Sequence, residues 1–338
     1  MKEALAFDDV LLVPKYSDIS SRSEVDTSVH FSKKGIDIKL AHPIVPANMA
    51  SICEYEMAKA LFQSNGLAFL HRFMSVPDQL DILLRLEKEL GRNIWMHVGV
   101  SVGIKPADYE AVDYFANAGV EIICIDIAHA HHKSCIDMCK YIASKYPDVF
   151  LVAGNVGTAE GALALWEAGA DAVKASIGGG SICTTRVETG NGMPTFSAVV
   201  DIAAARPKNK LLIADGGLRN AGDCCKALCY ADLVMLGNVF SGSIETPGET
   251  ITADDGHQYK RYDGSSTFKV NRVEGVKSLV PLKGKARDII QRIVEGIQSC
   301  CSYQGARNLV ELKKHPQFIR ISPAGMVESG SHDVRVIK

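Results

Sequence analysis

The chain has 338 residues, 47% of them apolar and 22% charged, with a net charge of −2. So even a balance gives no basis for a nucleic-acid partner. No apolar run approaches the roughly 20 residues of a membrane span, and the N-terminus lacks a signal-peptide pattern, so the reading is a soluble cytoplasmic protein.

Residues 5–14, Leu-Ala-Phe-Asp-Asp-Val-Leu-Leu-Val-Pro, form a lead-in ahead of a repeating pattern. Short, β-rich apolar runs then recur at 44–49, 66–72, 94–101, 121–130, 150–156, 172–178, 211–217 and 233–240, eight in all. The segments between them carry helical periodicity, as at Leu80, Leu83, Leu84 and Leu90, or Ala162, Leu163 and Leu165. Strands that are apolar almost throughout, alternating with helices, imply a parallel sheet buried on both faces. Eight such units predict a (β/α)8 TIM barrel, with a doubly wound open sheet as the alternative. After the eighth run the pattern breaks into a polar excursion at 241–271, and a last helix follows with Ile289, Ile290, Ile293, Val294 and Ile297 in one stripe. The expectation is a single domain over 1–338, its barrel core spanning about 44–300.

The ten cysteines show no C-x-x-C spacing. Cys135/Cys139 and Cys225/Cys229 are spaced as buried small residues of helices. One cysteine differs. Gly178-Gly179-Gly180-Ser181-Ile182-Cys183-Thr184-Thr185-Arg186 lifts Cys183 on a glycine-rich, hydroxyl-rich loop ahead of an arginine, suitable ground for a thiolate nucleophile.

In a barrel the site lies at the C-terminal strand ends. Those ends offer Asp126, Ala128 and His129 on the fourth strand, Gly154-Asn155 on the fifth and the cysteine loop on the sixth. Asp215-Gly216-Gly217 ends the seventh and Gly237-Asn238 the eighth. Glycine pairs after the last two strands match a barrel phosphate site, and Asp215 before them suits a ribose diol. His129, His131 and His132 alternate in direction along an extended chain, so they do not easily share one metal ion.

The lead-in, the Ala153-Gly154-Asn155-Val156 strand end, the cysteine loop, Ala214-Asp215-Gly216-Gly217 and Met235-Leu236-Gly237 together resemble the IMP dehydrogenase/GMP reductase family over almost the whole chain. The resemblance implies a purine nucleotide substrate, GMP or IMP, and a nicotinamide cofactor, NADPH or NAD. Cys183 would attack C2 of the purine, with Thr185 and Glu274 moving protons at the C2 substituent. Ser181, Gly216, Gly217, Gly237, Asn238, Tyr262, Gly264 and Ser265 would hold the phosphate, and Asp215 the ribose. Asp126, Ala128 and Asn155 would face the nicotinamide. His71 or Arg72 would be a candidate for a 2′-phosphate. The carbonyls of Gly178, Gly180 and Cys183, with Glu328, Ser329 and Gly330 of a neighbouring subunit, would bind potassium in a homotetramer.

Between the two activities the resemblance leans to the reductase. The regulatory CBS insertion after the second strand is absent. Only about nine residues separate Gly264 from Glu274, with no Arg-Tyr pair among them to activate water. The expectation is therefore a GMP reductase, NADPH-dependent, turning GMP into IMP and ammonia; the alternative is an NAD-dependent IMP dehydrogenase. Arg261-Tyr262 and the tail from Ile321 to Val334 are the dehydrogenase-like features. A nucleotide-binding barrel without catalysis is countered by the presence of Cys183, Thr185 and Glu274.

Overall fold

The computed structural model describes residues 3–33, 35–254, 256–264 and 277–331. Eight parallel strands form the central sheet: β1 Ile44–Pro46, β2 Ala68–Phe69, β3 Val98–Val102, β4 Ile122–Asp126, β5 Phe150–Val156, β6 Ala172–Ala175, β7 Leu211–Asp215 and β8 Leu233–Leu236. Each strand hydrogen-bonds to the next in sequence from β2 onward, and β8 returns to β1 through Val234↔Ile44. The sheet is thus a nearly closed (β/α)8 barrel, all eight strands falling where the apolar runs predict them.

Strand alternation sorts the side chains into two layers. Val45, Phe69, Ile122, Cys124, Val152, Ala172, Ile213 and Met235 fill the interior. Their neighbours, such as Ile44, Ile123, Leu151, Val173, Leu212 and Val234, face outward into the packing between sheet and helices.

The outer ring is α1 Tyr55–Gln63, α2 Val76–Leu90, α3 Pro106–Asn117, α4 Lys133–Lys145, α5 Ala159–Glu167, α6 Thr195–Ala205, α7 Ala221–Leu228 and α8 Ala286–Tyr303. Side-chain caps start several of them where the loop from the strand ends: Ser75, Thr158 and Asn220 each accept the amide three residues on. The stripe of α8 buries Ile289, Ile290, Ile293 and Ile297 as the periodicity predicts. Cys135, Cys139 and Cys225 are buried in their helices and Cys229 at the C-terminal cap of α7, as expected from their spacing.

Three pieces lie outside the repeat. An antiparallel hairpin, Val29–Lys33 with Ile36–Leu40, plugs the N-terminal mouth: Phe31 packs on Phe150, and Lys33 donates to the Val149 carbonyl and to Asp171. The lead-in contributes Val10–Leu12, paired antiparallel with Phe318–Arg320 of the tail. The excursion after β8 is a three-stranded antiparallel sheet of Ile251–Thr252, Gln258–Asp263 and Lys277–Pro281. With the plug below, the described residues leave the barrel open at its C-terminal mouth. No helix among the described residues is long and apolar enough to cross a membrane.

Candidate active site

A cavity of about 300 Å³ occupies that open mouth. Its walls are the strand ends named above: Asp126 and Ala128 after β4, Asn155 in β5, Gly178–Cys183 after β6, Asp215–Gly217 after β7, and Gly237 with Asn238 after β8. Thr185, Tyr262 and Gly264 complete the predicted catalytic, substrate and cofactor residues within the described part of the chain.

The cysteine loop is shaped by backbone contact. Gly216 has φ of 86°, and a Cβ there would lie 3.3 Å from the Gly180 amide, so the β6 and β7 loops meet main chain to main chain. Cys183 is half-buried; its amide donates to the Gly180 carbonyl at 3.1 Å and its thiol donates to Thr185 Oγ1 at 3.2 Å. That places a hydroxyl within proton-transfer reach of the sulfur. Arg186 plays a different part from the one its position in sequence suggests. Its guanidinium donates to the carbonyls of Ile177 and Met193, and its alkyl chain fills the space beside Gly178 and Gly192. It clamps the two ends of the loop instead of supporting a thiolate.

At the opposite end, Tyr262 is buried with its hydroxyl 3.3 Å from Ser181 Oγ, and it stands against Gly237. Burial pushes its phenol pKa upward, partly offset by the Ser181 hydrogen bond. Tyr262 and Arg261 are consecutive residues of one strand, so their side chains leave on opposite faces: Tyr262 buried, Arg261 exposed. They cannot act as one dyad on the same water.

The cavity floor holds a group that sequence reasoning missed. Lys174, on β6, is fully buried and donates to Asp126 Oδ1, to Asn48 Oδ1 at 3.3 Å and to Asp215 Oδ2 at 3.4 Å. Burial alone would lower its pKa, but Asp126 and Asp215 outweigh that and hold the ammonium above its ordinary range. Asp215 Oδ2 also accepts from Asn155 Nδ2 at 2.8 Å. Behind Asn48 the network continues through Ser101 to Gln79. Cys124, beside it, is pushed up to about 12 by burial and is inert at neutral pH. The hint in sequence was one lysine among Ala172, Val173 and Ala175.

Several predicted residues fall elsewhere. Glu274 and Ser265 lie outside the described residues. Glu328, Ser329 and Gly330 end a short exposed helix, Pro323–Glu328, and do not line the cavity. His71 is buried and bonded to Glu54. Arg72 lines the cavity, its Nε donating to the Asp126 carbonyl at 2.8 Å. His132 caps α4 through the Ser134 amide, and no group of three metal-ligating side chains forms among the described residues.

A family model described as "IMP dehydrogenase / GMP reductase domain" matches residues 4–332. Among curated relatives, a GMP reductase from Ligilactobacillus salivarius is 38% identical over 315 residues, covering 91% of this chain and 94% of its own. An inosine-5′-monophosphate dehydrogenase from Aquifex aeolicus is 32% identical, covering 100% and 97%. Among solved structures, a GMP reductase from Trypanosoma brucei in complex with guanosine 5′-monophosphate superposes with a TM-score of 0.88 at 28% identity, covering 99% of each chain.

Proposed function

The chain belongs to the IMP dehydrogenase/GMP reductase family, and from that premise we propose that it is a GMP reductase, converting GMP to IMP and ammonia with a reduced nicotinamide cofactor. The observation that carries the choice is the position of Tyr262 at Ser181 with Arg261 on the other face of the strand. A dehydrogenase must hydrolyse its covalent adduct and needs a base for water; a reductase expels ammonia and does not. The greater identity to reductases, 38% against 32%, points the same way.

In this reading the substrate lies in the cavity in one direction. Ser181, the Gly216-Gly217 and Gly237-Asn238 turns, Tyr262 and Gly264 offer hydroxyls and main-chain amides to the phosphate, joined in this reading by Ser265. Asp215 has both its contacts on Oδ2, which leaves Oδ1 for the ribose diol. The purine then lies toward Cys183. On the remaining wall Ala128 presents only a methyl, flanked by Asp126 and the Asn155 amide, a flat and polar-edged surface that fits a nicotinamide.

Cys183 attacks C2 as the thiolate: the sulfur–C2 bond forms and the C2–amino bond breaks, ammonia leaving with a proton relayed by Thr185 and Glu274. The reduced nicotinamide, when bound, supplies the hydride that C2 then needs. Loss of the sulfur–C2 bond returns the thiolate and frees IMP. We assign NADPH as the cofactor and a cytoplasmic homotetramer as the working form, one barrel domain per chain. In it the Gly178, Gly180 and Cys183 carbonyls meet Glu328, Ser329 and Gly330 of a neighbouring copy around potassium.

The test is absorbance at the reduced-cofactor band in two mixtures. GMP with NADPH consumes the signal, and IMP with NAD does not create it. Signal growing in the second mixture alone would overturn the assignment in favour of the dehydrogenase.

A further inference from the structure

Lys174 has no counterpart in the chemistry just described. It is 1% exposed, and it reaches carboxylates from two other strands, Asp126 of β4 and Asp215 of β7. The fold makes room for it: a Cβ on Gly154 would stand 2.5 Å from the Lys174 Cβ. A barrel layer is ordinarily filled by branched apolar residues, and a buried ion pair is weak evidence of stability. A role in function is the better account of why a charge is kept there.

The two carboxylates serve different ligands in the reading above, on which this inference rests: Asp215 the ribose, Asp126 the nicotinamide. We propose that Lys174 is a positioning residue that couples the two subsites through one shared ammonium. A ribose diol donating to Asp215 competes for that carboxylate's charge, and the ammonium shifts its hydrogen bonding toward Asp126. Asp126 is then more fully neutralised, and a cationic, oxidised nicotinamide ring is attracted less. A neutral, reduced ring is indifferent to that change. Nucleotide in the site therefore selects reduced over oxidised cofactor, which favours loading before hydride transfer and departure after it. By linkage, oxidised cofactor weakens nucleotide binding by the same factor.

The coupling is read by calorimetry on the whole protein, with pairs that have no hydride to exchange: NADP with and without saturating GMP, and NADPH with and without saturating IMP. For each, the ratio of cofactor Kd with nucleotide to Kd without it is taken. Lys174→Met is expected to lower the NADP ratio about fivefold or more, the scale of an ordinary allosteric coupling, while the NADPH ratio moves less than about twofold. Lys174→Arg keeps the charge and is expected to retain most of the wild-type ratio. The Met variant leaves two carboxylates without their shared counter-ion; should it fail to fold, Lys174→Met with Asp126→Asn leaves only the Asp215 carboxylate, with the same lowering expected. An unchanged NADP ratio in whichever variant folds, or NADP and NADPH ratios that move together as a purely structural role would move them, overturns the proposal. Failure of the reductase assignment is separate: it shows in the wild type as no oxidation of NADPH by GMP.

Discussion

Cys183 and Thr185 stand 3.2 Å apart on a loop whose shape is held by main-chain contacts and by the Arg186 clamp. Removing the sulfur therefore leaves the cavity walls in place. Cys183→Ala is expected to cut turnover by at least about 10³-fold, as loss of a covalent nucleophile does, while GMP affinity by calorimetry changes little; retained turnover would refute the covalent route. Tyr262 is a second test at this scale. Tyr262→Phe deletes the hydrogen bond to Ser181 at the end proposed for the phosphate, worth about 1 kcal/mol. It is expected to raise the KM for GMP roughly fivefold with kcat nearly unchanged. A fall in kcat with KM constant would instead give Tyr262 a part in the chemistry. Both residues were legible in the sequence because their motifs are local. Lys174 was not, since only closure of the barrel brings Asp126 and Asp215 from two other strands, and Asn48 from the loop after β1, to its ammonium.

Among the elements, the eight barrel strands were readable because a parallel strand covered on both faces is apolar throughout. The plug was not. Its strands alternate, with Ile36, Ile38 and Leu40 inward and charged residues outward, and nothing local says that the inward face enters a barrel mouth. The sheet after β8 was read only as an excursion, its strands being short and polar. The approach to β1 carries a pH signature. His42 is buried; its Nδ1 accepts from the Ile44 amide at 3.3 Å and its Nε2 bonds Ser64. Burial lowers its pKa to about 4. Above the unfolded value of about 6.5 both states hold it neutral and it has no effect. As pH falls below that, the unfolded chain takes a proton that the native one refuses, so stability is lost progressively down to about pH 4. The loss approaches about 3 kcal/mol. Urea titrations at pH 7.5 and 4.5 measure it, and His42→Gln is expected to remove this part of the difference; an equal difference in the variant would assign it to other groups.

For the whole molecule, the question is what completes the outer side of the cysteine loop. Glu328 is exposed and lies off the cavity, so its predicted role at the Cys183 loop requires a second copy. If potassium bridges the two, rates rise in potassium over sodium, and Glu328→Ala abolishes the difference. Identical rates in potassium, sodium and bulky organic cations would remove the ion. Mixed assemblies of Cys183→Ala and Glu328→Ala chains give a further check, because a site shared between copies recovers potassium-stimulated turnover on mixing.

The ladder of Val10–Leu12 with Phe318–Arg320 has a consequence for synthesis. Those first strand residues leave the ribosome early, yet their partner is made some three hundred residues later. Until then Phe7 and Val10, buried in the finished protein, have no complete surface to pack on. The interval is one in which a chaperone or a protease meets an apolar segment. A nascent chain arrested before residue 318 is expected to carry the whole barrel repeat and still be cleared.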